Sequence, residues 1–329
     1  MRSIGKLGHG GIMVNYACTA ACRHCLYACS PSRGKGAYLS AEKAREIAAL
    51  LREGGCPSVH IGGGEPFLNF EGLIAVIREL RTAGIELAYI ETNAYWANEP
   101  QADERLRVLA GEGAGALCIS FDPYHAEYVP PDYPLRLAGR CAAAGVDFFI
   151  WKEGFRPALS QVDGGRAHSR EELEKALGPR YVRDTARSYN IHLGGRAINI
   201  EAEYEPAQSP ESLLEDGAAH TPCGNLLSTN HFHVDAQGFF IPPGCTGLRL
   251  PLAEALRGVP AGAYPVFQAL CAGGLAALYR LAADRGFDAG SAGYPSRCAL
   301  CFHLRRFLAK QGRFPELDAE YYDESLRYY

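Results

Sequence analysis

The sequence predicts an α/β fold around a parallel sheet, and two observations predict it. Short apolar runs of strand length alternate with amphipathic stretches of helix length along the first two-thirds of the chain. The amphipathic stretches also carry helix punctuation at their ends. In chain order, an apolar run at 12–14 comes first. A helix follows over 41–53, with Ser40 as N-cap and Ala44, Ile47, Ala48 and Leu51 on one face. Residues 58–61 form a short buried strand, and a helix capped by Asn69 runs over 70–83 and stops at Gly84. Further helices are expected at 101–111 and 134–144, the latter opening on Asp132 and Pro134 and ending at Gly145. Strands at 87–92, 116–120 and 146–151 lie between them, and a sixth is expected at 197–201.

Six such units in roughly 190 residues fall short of an eight-unit barrel, which commonly takes about 250. The stretch from Lys152 to Gly194 is too long for a βα crossover. It carries the loop Gln161-Val162-Asp163-Gly164-Gly165 and helical patterns at 170–177 and 182–188, and a connection of that length suits a functional lid.

Composition narrows the chemistry. The chain has 329 residues, 47% hydrophobic and 21% charged, so it is globular, and its net charge of −4 argues for neither nucleic acid nor a charged membrane as partner. No apolar h-region opens the sequence and no apolar window of membrane-spanning length is read from it, so a cytoplasmic location is expected. Twelve cysteines are the unusual feature. In a reducing compartment, clustered thiols serve as metal ligands or catalytic groups more often than as disulfides.

Cys56, Cys118, Cys141 and Cys271 stand alone in apolar or amphipathic surroundings and read as core thiols. Cys29 is set aside with them. Seven remain, in two groups. Cys18, Cys22 and Cys25 form a C-x3-C-x2-C run directly after the apolar stretch at 12–14. Three thiolates can wrap a cubane that takes four ligands, which leaves one iron open. With Cys29 and Ser30-Pro31 the run also looks like a bacterial ferredoxin run, so a non-enzymatic two-cluster electron carrier is the competing class. The strand at 58–61 ends in Gly62-Gly63-Gly64-Glu65-Pro66, where glycines let backbone approach a ligand closely.

Together, C-x3-C-x2-C after the first strand and Gly-Gly-Glu-Pro after the second resemble the radical S-adenosylmethionine (SAM) superfamily. The resemblance implies a partial (β/α)6 TIM-like barrel. It implies a [4Fe-4S] cluster on Cys18, Cys22 and Cys25 whose open iron chelates SAM, and reductive cleavage to a 5′-deoxyadenosyl radical that abstracts hydrogen from substrate. It places Gly63, Gly64 and Glu65 at the methionine amino group and His24 near the adenine. Thr92-Asn93 resembles the family's Thr-Asn-Gly turn with Ala94 in place of glycine, and Ser120 and Asp122 match its Ser-x-Asp pattern with Pro123 in place of glycine. Asn93, Ser120, Asp122, Lys152 and Arg196 are thereby assigned to SAM. Tyr124, His125 and Glu127, at a strand mouth, are the candidates for catalytic contact with substrate. An electron donor such as flavodoxin or ferredoxin is implied as partner.

The second group is Cys223, Cys245, Cys298 and Cys301, with a hairpin predicted between the first two. By spacing, zinc and iron–sulfur are both open. The arrangement resembles the twitch form of the SPASM extension, which implies one auxiliary [4Fe-4S] cluster. Two domains follow, 1–215 for the barrel with its insertion at about 152–196 and 216–329 for the auxiliary cluster. Relatives of this kind act on peptides, giving crosslinks, thioethers or epimers, or oxidise small molecules.

Overall fold

The alternation becomes one eight-stranded sheet. The computed structural model describes residues 4–290 and 293–328. Strands β1 (Gly10–Met13), β2 (Ser58–Gly62), β3 (Glu86–Thr92), β4 (Ala116–Ser120) and β5 (Phe148–Trp151) are parallel neighbours in that order. On the other side of β1 the sheet continues through β6 (Phe232–Asp235), also parallel to β1, into antiparallel β7 (Phe239–Ile241) and β8 (Leu250–Pro251). The α/β class with a parallel sheet is therefore as expected, and the sheet is open, with β5 at one edge and β8 at the other.

Helices α1 (Ala41–Glu53), α2 (Phe70–Thr82), α3 (Ala102–Glu112), α4 (Pro123–Ala126) and α5 (Asp132–Ala144) fill the connections. Their ends follow from local chemistry. The Ser40 hydroxyl accepts from the Lys43 amide, the Asn69 side chain accepts from Gly72, and Gly145 closes α5 in the left-handed region at φ 68°.

The period-2 pattern decides which side of the sheet meets the helices. Ile12, Val14, Val59, Ile61, Ile90 and Leu117 join the main core with the helices. The alternate residues line the inner face of the partial barrel. There His60 stacks on Tyr89 with centroids 4.7 Å apart, and Tyr89 meets Phe149 edge-on at 5.5 Å.

One expectation is corrected. Residues expected as a sixth strand form helix α9 (Ala197–Ala202), and β6 supplies the sixth parallel strand instead. Five residues of alternation are too few to separate the two periods, and the backbone just before them is fixed by Arg196, described below.

Three short helices build the insertion: α6 (Arg156–Leu159), α7 (Arg170–Leu177) and α8 (Tyr181–Tyr189). Leu159, Leu173, Tyr181, Val182 and Ala186 pack with Met13, Cys18, Cys22 and Phe121, so the insertion covers the cysteine loop. Beyond it, α10 (Pro210–Glu215) and α11 (Leu252–Arg257) precede a layer of α12 (Pro265–Ala283), α13 (Arg297–Ala309) and α14 (Ala319–Arg327). Helix α12 is long and apolar enough to cross a membrane by length and composition, yet half of it is buried inside the molecule. It is broken at Gly273 and Gly274, where a Cβ on Gly274 would stand 2.1 Å from the Thr221 carbonyl oxygen.

Candidate functional site

The loop after β1 carries Cys18, Cys22 and Cys25, and one residue fastens it from behind. The Arg196 backbone amide donates to the Cys25 carbonyl (3.1 Å), its Nε donates to the Cys22 carbonyl (2.9 Å), and its Nη2 donates to the Cys29 carbonyl (2.5 Å). Arg196 is fully buried. Gly195, at φ 54°, lets this segment approach, since a Cβ there would lie 2.2 Å from the Cys25 carbonyl oxygen. With their carbonyls turned toward Arg196, the cysteines are held in one frame. Asn93 Nδ2 approaches Cys18 Sγ at 3.7 Å and donates to Thr19 Oγ1 at 3.0 Å. The Cys25 thiol is pushed well below its ordinary value by a hydrogen bond from Cys29, while burial and the neighbouring Cys22 push Cys18 up. Cys29, Cys56, Cys118, Cys141 and Cys271 are buried, as read from the sequence.

The turn after β2 lies against this loop. Gly64 donates its amide to the Asn15 carbonyl (2.9 Å) and to Asn15 Oδ1 (3.1 Å), and Glu65 donates its amide to the Ala17 carbonyl (2.9 Å). The Glu65 carboxylate is itself fully buried and accepts from the Phe67 amide (3.1 Å), Thr92 Oγ1 (3.0 Å) and the Asn93 amide (2.8 Å). It ties the β2 turn to the end of β3.

Burial raises the Glu65 carboxyl from 4.5 to about 7 against those three donors. A carboxyl raised in the folded state binds more protons folded than unfolded between the two values, so stability falls as pH rises through that window. The cost, about 3 kcal/mol, is absent below pH 4.5 and fully present above 7. Glu65→Gln removes this dependence. In urea denaturation of the cluster-free protein, the stability difference between wild type and Glu65→Gln should shift by about 2.5 kcal/mol against wild type from pH 5 to pH 8. Parallel curves would refute the assignment.

At the end of β4, Asp122 caps α4, accepting from the Tyr124 and His125 amides, and its second oxygen meets His125 Nδ1 at 2.7 Å. Burial opposes charge on both, yet each holds the other ionised, so Asp122 is lowered and His125 raised. His24 stacks on Tyr124 at 4.9 Å, its Nε2 is 3.9 Å from Asp122, and burial pushes it down to about 4. His24, Asp122 and His125 thus form a compact polar group, and Cys22 is close enough to favour the charged form of His125.

The three residues expected to contact substrate have other partners. Tyr124 is fully buried and donates to the Val182 carbonyl (2.6 Å), His125 is paired with Asp122, and Glu127 accepts from Arg23 Nε at 2.9 and 3.1 Å. They bind α4 to the cysteine loop and the insertion. Of the expected SAM contacts, His24, Gly63, Gly64, Glu65, Asn93 and Asp122 gather around the cysteine loop. Ser120 sits at the end of β4, opposite Trp151 in register. Lys152 lies beyond the end of β5 with Nζ 5.1 Å from the Trp151 ring and 4.9 Å from the Tyr189 ring.

The second cysteine group comes as two pairs. Cys223 and Cys245 flank the β6–β7 hairpin with sulfurs 4.0 Å apart, and Cys298 and Cys301 occupy the first turns of α13, three residues apart on one helix face. The hydrogen bond with Cys245 lowers the Cys223 thiol to about 6. Arg305, one turn further along α13 and buried, donates Nη1 to the Thr246 carbonyl (2.8 Å), and its charge acts to lower the Cys301 thiol. That charge favours thiolates, yet Cys245, through the bond to Cys223, and Cys298 and Cys301, through burial, stand above their ordinary value.

Do these residues fit an iron–sulfur cluster and SAM? Near the first group, Arg196 Nη1 and His24 Nδ1 are buried and have no hydrogen-bond partner among the described residues, so donors remain for a bound group. The glycine turn leaves backbone against the loop, and the donor set is three thiols held by one clamp. The residues fit.

Sequence reading missed the inner-face row of His60, Glu91 and His233. The signal was available in the strand alternation of β2 and β6, where polar residues occupy the face opposite the core.

Residues 12–151 match the family model described as Radical SAM superfamily. No curated protein matches the chain in sequence. Among solved structures, native anSMEcpe with bound AdoMet is similar at 16% identity and a TM-score of 0.43, covering 92% of this chain and 96% of its own. Streptococcus suis SuiB bound to the precursor peptide SuiA is similar at 14% identity and a TM-score of 0.38, covering 91% and 76%. HydG, a maturase of the [FeFe]-hydrogenase, is similar at 20% identity and a TM-score of 0.34, covering 44% and 34%.

Proposed function

From the premise that residues 12–151 are a radical SAM domain, we propose that this chain is an enzyme that binds a [4Fe-4S] cluster on Cys18, Cys22 and Cys25, cleaves SAM reductively and abstracts hydrogen from a substrate on the inner face of the sheet. One observation carries this: three thiols on a loop clamped by Arg196, with the backbone of a glycine turn packed against it. When bound, cluster and SAM together supply the 5′-deoxyadenosyl radical.

The protein's own groups position and shield. Glu65, Thr92 and Asn93 fix the ends of β2 and β3 beside Cys18. His24 offers a ring and an unpartnered Nδ1 at the place expected for the adenine. The insertion packs over the loop and keeps water from it. Tyr89, Glu91, Phe149 and Trp151 give the inner face aromatic surface and one carboxylate, which suits a peptide or a small polar molecule as substrate.

Cys223, Cys245, Cys298 and Cys301 form the auxiliary [4Fe-4S] site of the segment 216–329, supported by Arg305 beside them. An external donor such as flavodoxin or ferredoxin supplies the electron. Clustered cysteines that serve as cluster ligands suit a reducing, cytoplasmic setting.

Protein reconstituted with iron and sulfide under anaerobic conditions and then reduced should convert SAM to methionine and 5′-deoxyadenosine, with Cys25→Ala inactive. A fully loaded wild-type protein that reduces and reoxidises without consuming SAM would make it an electron carrier instead.

A further inference from the structure

The inner face holds a group of side chains that neither cysteine site uses. His60 on β2 and His233 on β6 flank Gly11 on β1 at the same level, since Gly11 is in register with both. Their Nε2 atoms face each other at 3.0 Å, and both rings are nearly fully buried. Glu91 Oε1 on β3 is 3.8 Å from His60 Nε2. His231 stacks against His60 at 5.3 Å and meets His233 edge-on at 5.4 Å.

Glycines clear the space at these donors. A Cβ on Gly11 would stand 2.4 Å from His60 Nε2 and 2.5 Å from His233 Cδ2, and one on Gly62 would stand 2.6 Å from Glu91 Oε2. Any side chain at either position would occupy the gap between the donors.

The geometry points to a divalent metal site on the inner face, with Nε2 of His60, Nε2 of His233 and a carboxylate oxygen of Glu91 as ligands, separate from both cysteine groups. Two imidazole nitrogens on one zinc at about 2.0–2.1 Å, at a tetrahedral angle, stand about 3.4 Å apart. The observed 3.0 Å between the nitrogens opens by a few tenths of an ångström to admit the ion, and Glu91, in reach of His60 but not of His233, turns inward to complete the set. The Glu91 side chain is 44% exposed, so its carboxylate has room to turn onto the ion. A neutral imidazole whose one N–H sits on Nδ1 presents a bare Nε2 to a metal. Burial keeps both rings neutral, which is the form that ligates metals. Two imidazoles and a carboxylate suit zinc, iron(II), cobalt or nickel and leave positions open toward the inner face.

Zinc is the probe. The cluster-loaded full chain, titrated with zinc in a calorimeter, should take one ion per chain beyond its clusters. The zinc X-ray absorption edge of that sample should show a nitrogen and oxygen shell at about 2.0–2.1 Å. His233→Ala should weaken binding at least about a hundredfold and Glu91→Gln about tenfold. Failure to bind zinc would show the pair to be an ordinary histidine hydrogen bond. A sulfur shell at about 2.3 Å would place the ion on cysteines, and unchanged binding in both variants would place it elsewhere; each result overturns the proposal. If His233→Ala fails to fold, Glu91→Gln, at a side chain 44% exposed, still decides whether the ion sits here, and the result is independent of whether SAM is cleaved.

Discussion

Arg196→Ala should leave a protein that loads little iron at its first site and is less stable by about 3–5 kcal/mol without any cluster. The guanidinium is fully buried and serves the Cys22 and Cys29 carbonyls at once. Truncation strands the Cys29 carbonyl and leaves the Cys22 carbonyl with the Cys25 amide (3.0 Å) alone; a stranded buried acceptor costs about 1–3 kcal/mol, and the lost second donor and the cavity add to it. The loss falls on the frame that sets where Cys22, Cys25 and Cys29 stand, so stability and cluster loading should fall together. Arg196→Lys should recover only part of both, because an ammonium can serve one carbonyl well but lacks the fork that spans two. Denaturant unfolding of the cluster-free proteins and iron per chain after reconstitution check this. An Arg196→Ala protein within about 1 kcal/mol of wild type and fully loaded would remove Arg196 from the role given to it here.

The role of Arg196 shows what the sequence can and cannot carry. Its place near the cysteine chemistry was legible, because the family resemblance had already assigned Arg196 to the SAM site. Its task was not, because carbonyl directions in a loop are fixed by tertiary contacts that leave no periodic trace. The first five strands and the helices at 41–53 and 70–83 were legible for the opposite reason. There, period and caps agree, as at Ser40 and Asn69, whose side chains do accept from the third residue on. The segment 197–202 failed as a strand because Ile198 and Ile200 satisfy either period over so short a run. Tyr124, His125 and Glu127 were placed correctly at a strand mouth. Their partners, Val182, Asp122 and Arg23, come from the insertion, the strand end and the cysteine loop, and only the folded chain brings these together.

Gly64→Ala should be at least as damaging as the loss of Arg196, although it adds one methyl group. A Cβ at Gly64 would stand 1.9 Å from the Ala17 carbonyl oxygen, 2.4 Å from its carbon and 2.9 Å from the Tyr16 carbonyl carbon. All three are backbone atoms, so no rotamer change can relieve the clash. The turn and the cysteine loop must separate, which breaks the Gly64 amide bonds to Asn15 and the Glu65 amide bond to Ala17. Glu65 then loses the position from which it accepts from Thr92 and Asn93, and the damage passes to the end of β3. The expected result is a cluster-free protein destabilised by about 3 kcal/mol or more, with iron loading and SAM binding both lost. Gly139→Ala supplies the contrast. Gly139 lies inside α5 with nothing within 4 Å of its added Cβ, so the same methyl should stabilise the protein by about 0.5–1 kcal/mol through helix propensity alone. Opposite signs for one chemical change at two glycines would locate the requirement at the contact between turn and loop. Equal small effects would mean that this contact is loose and that the glycine there is dispensable.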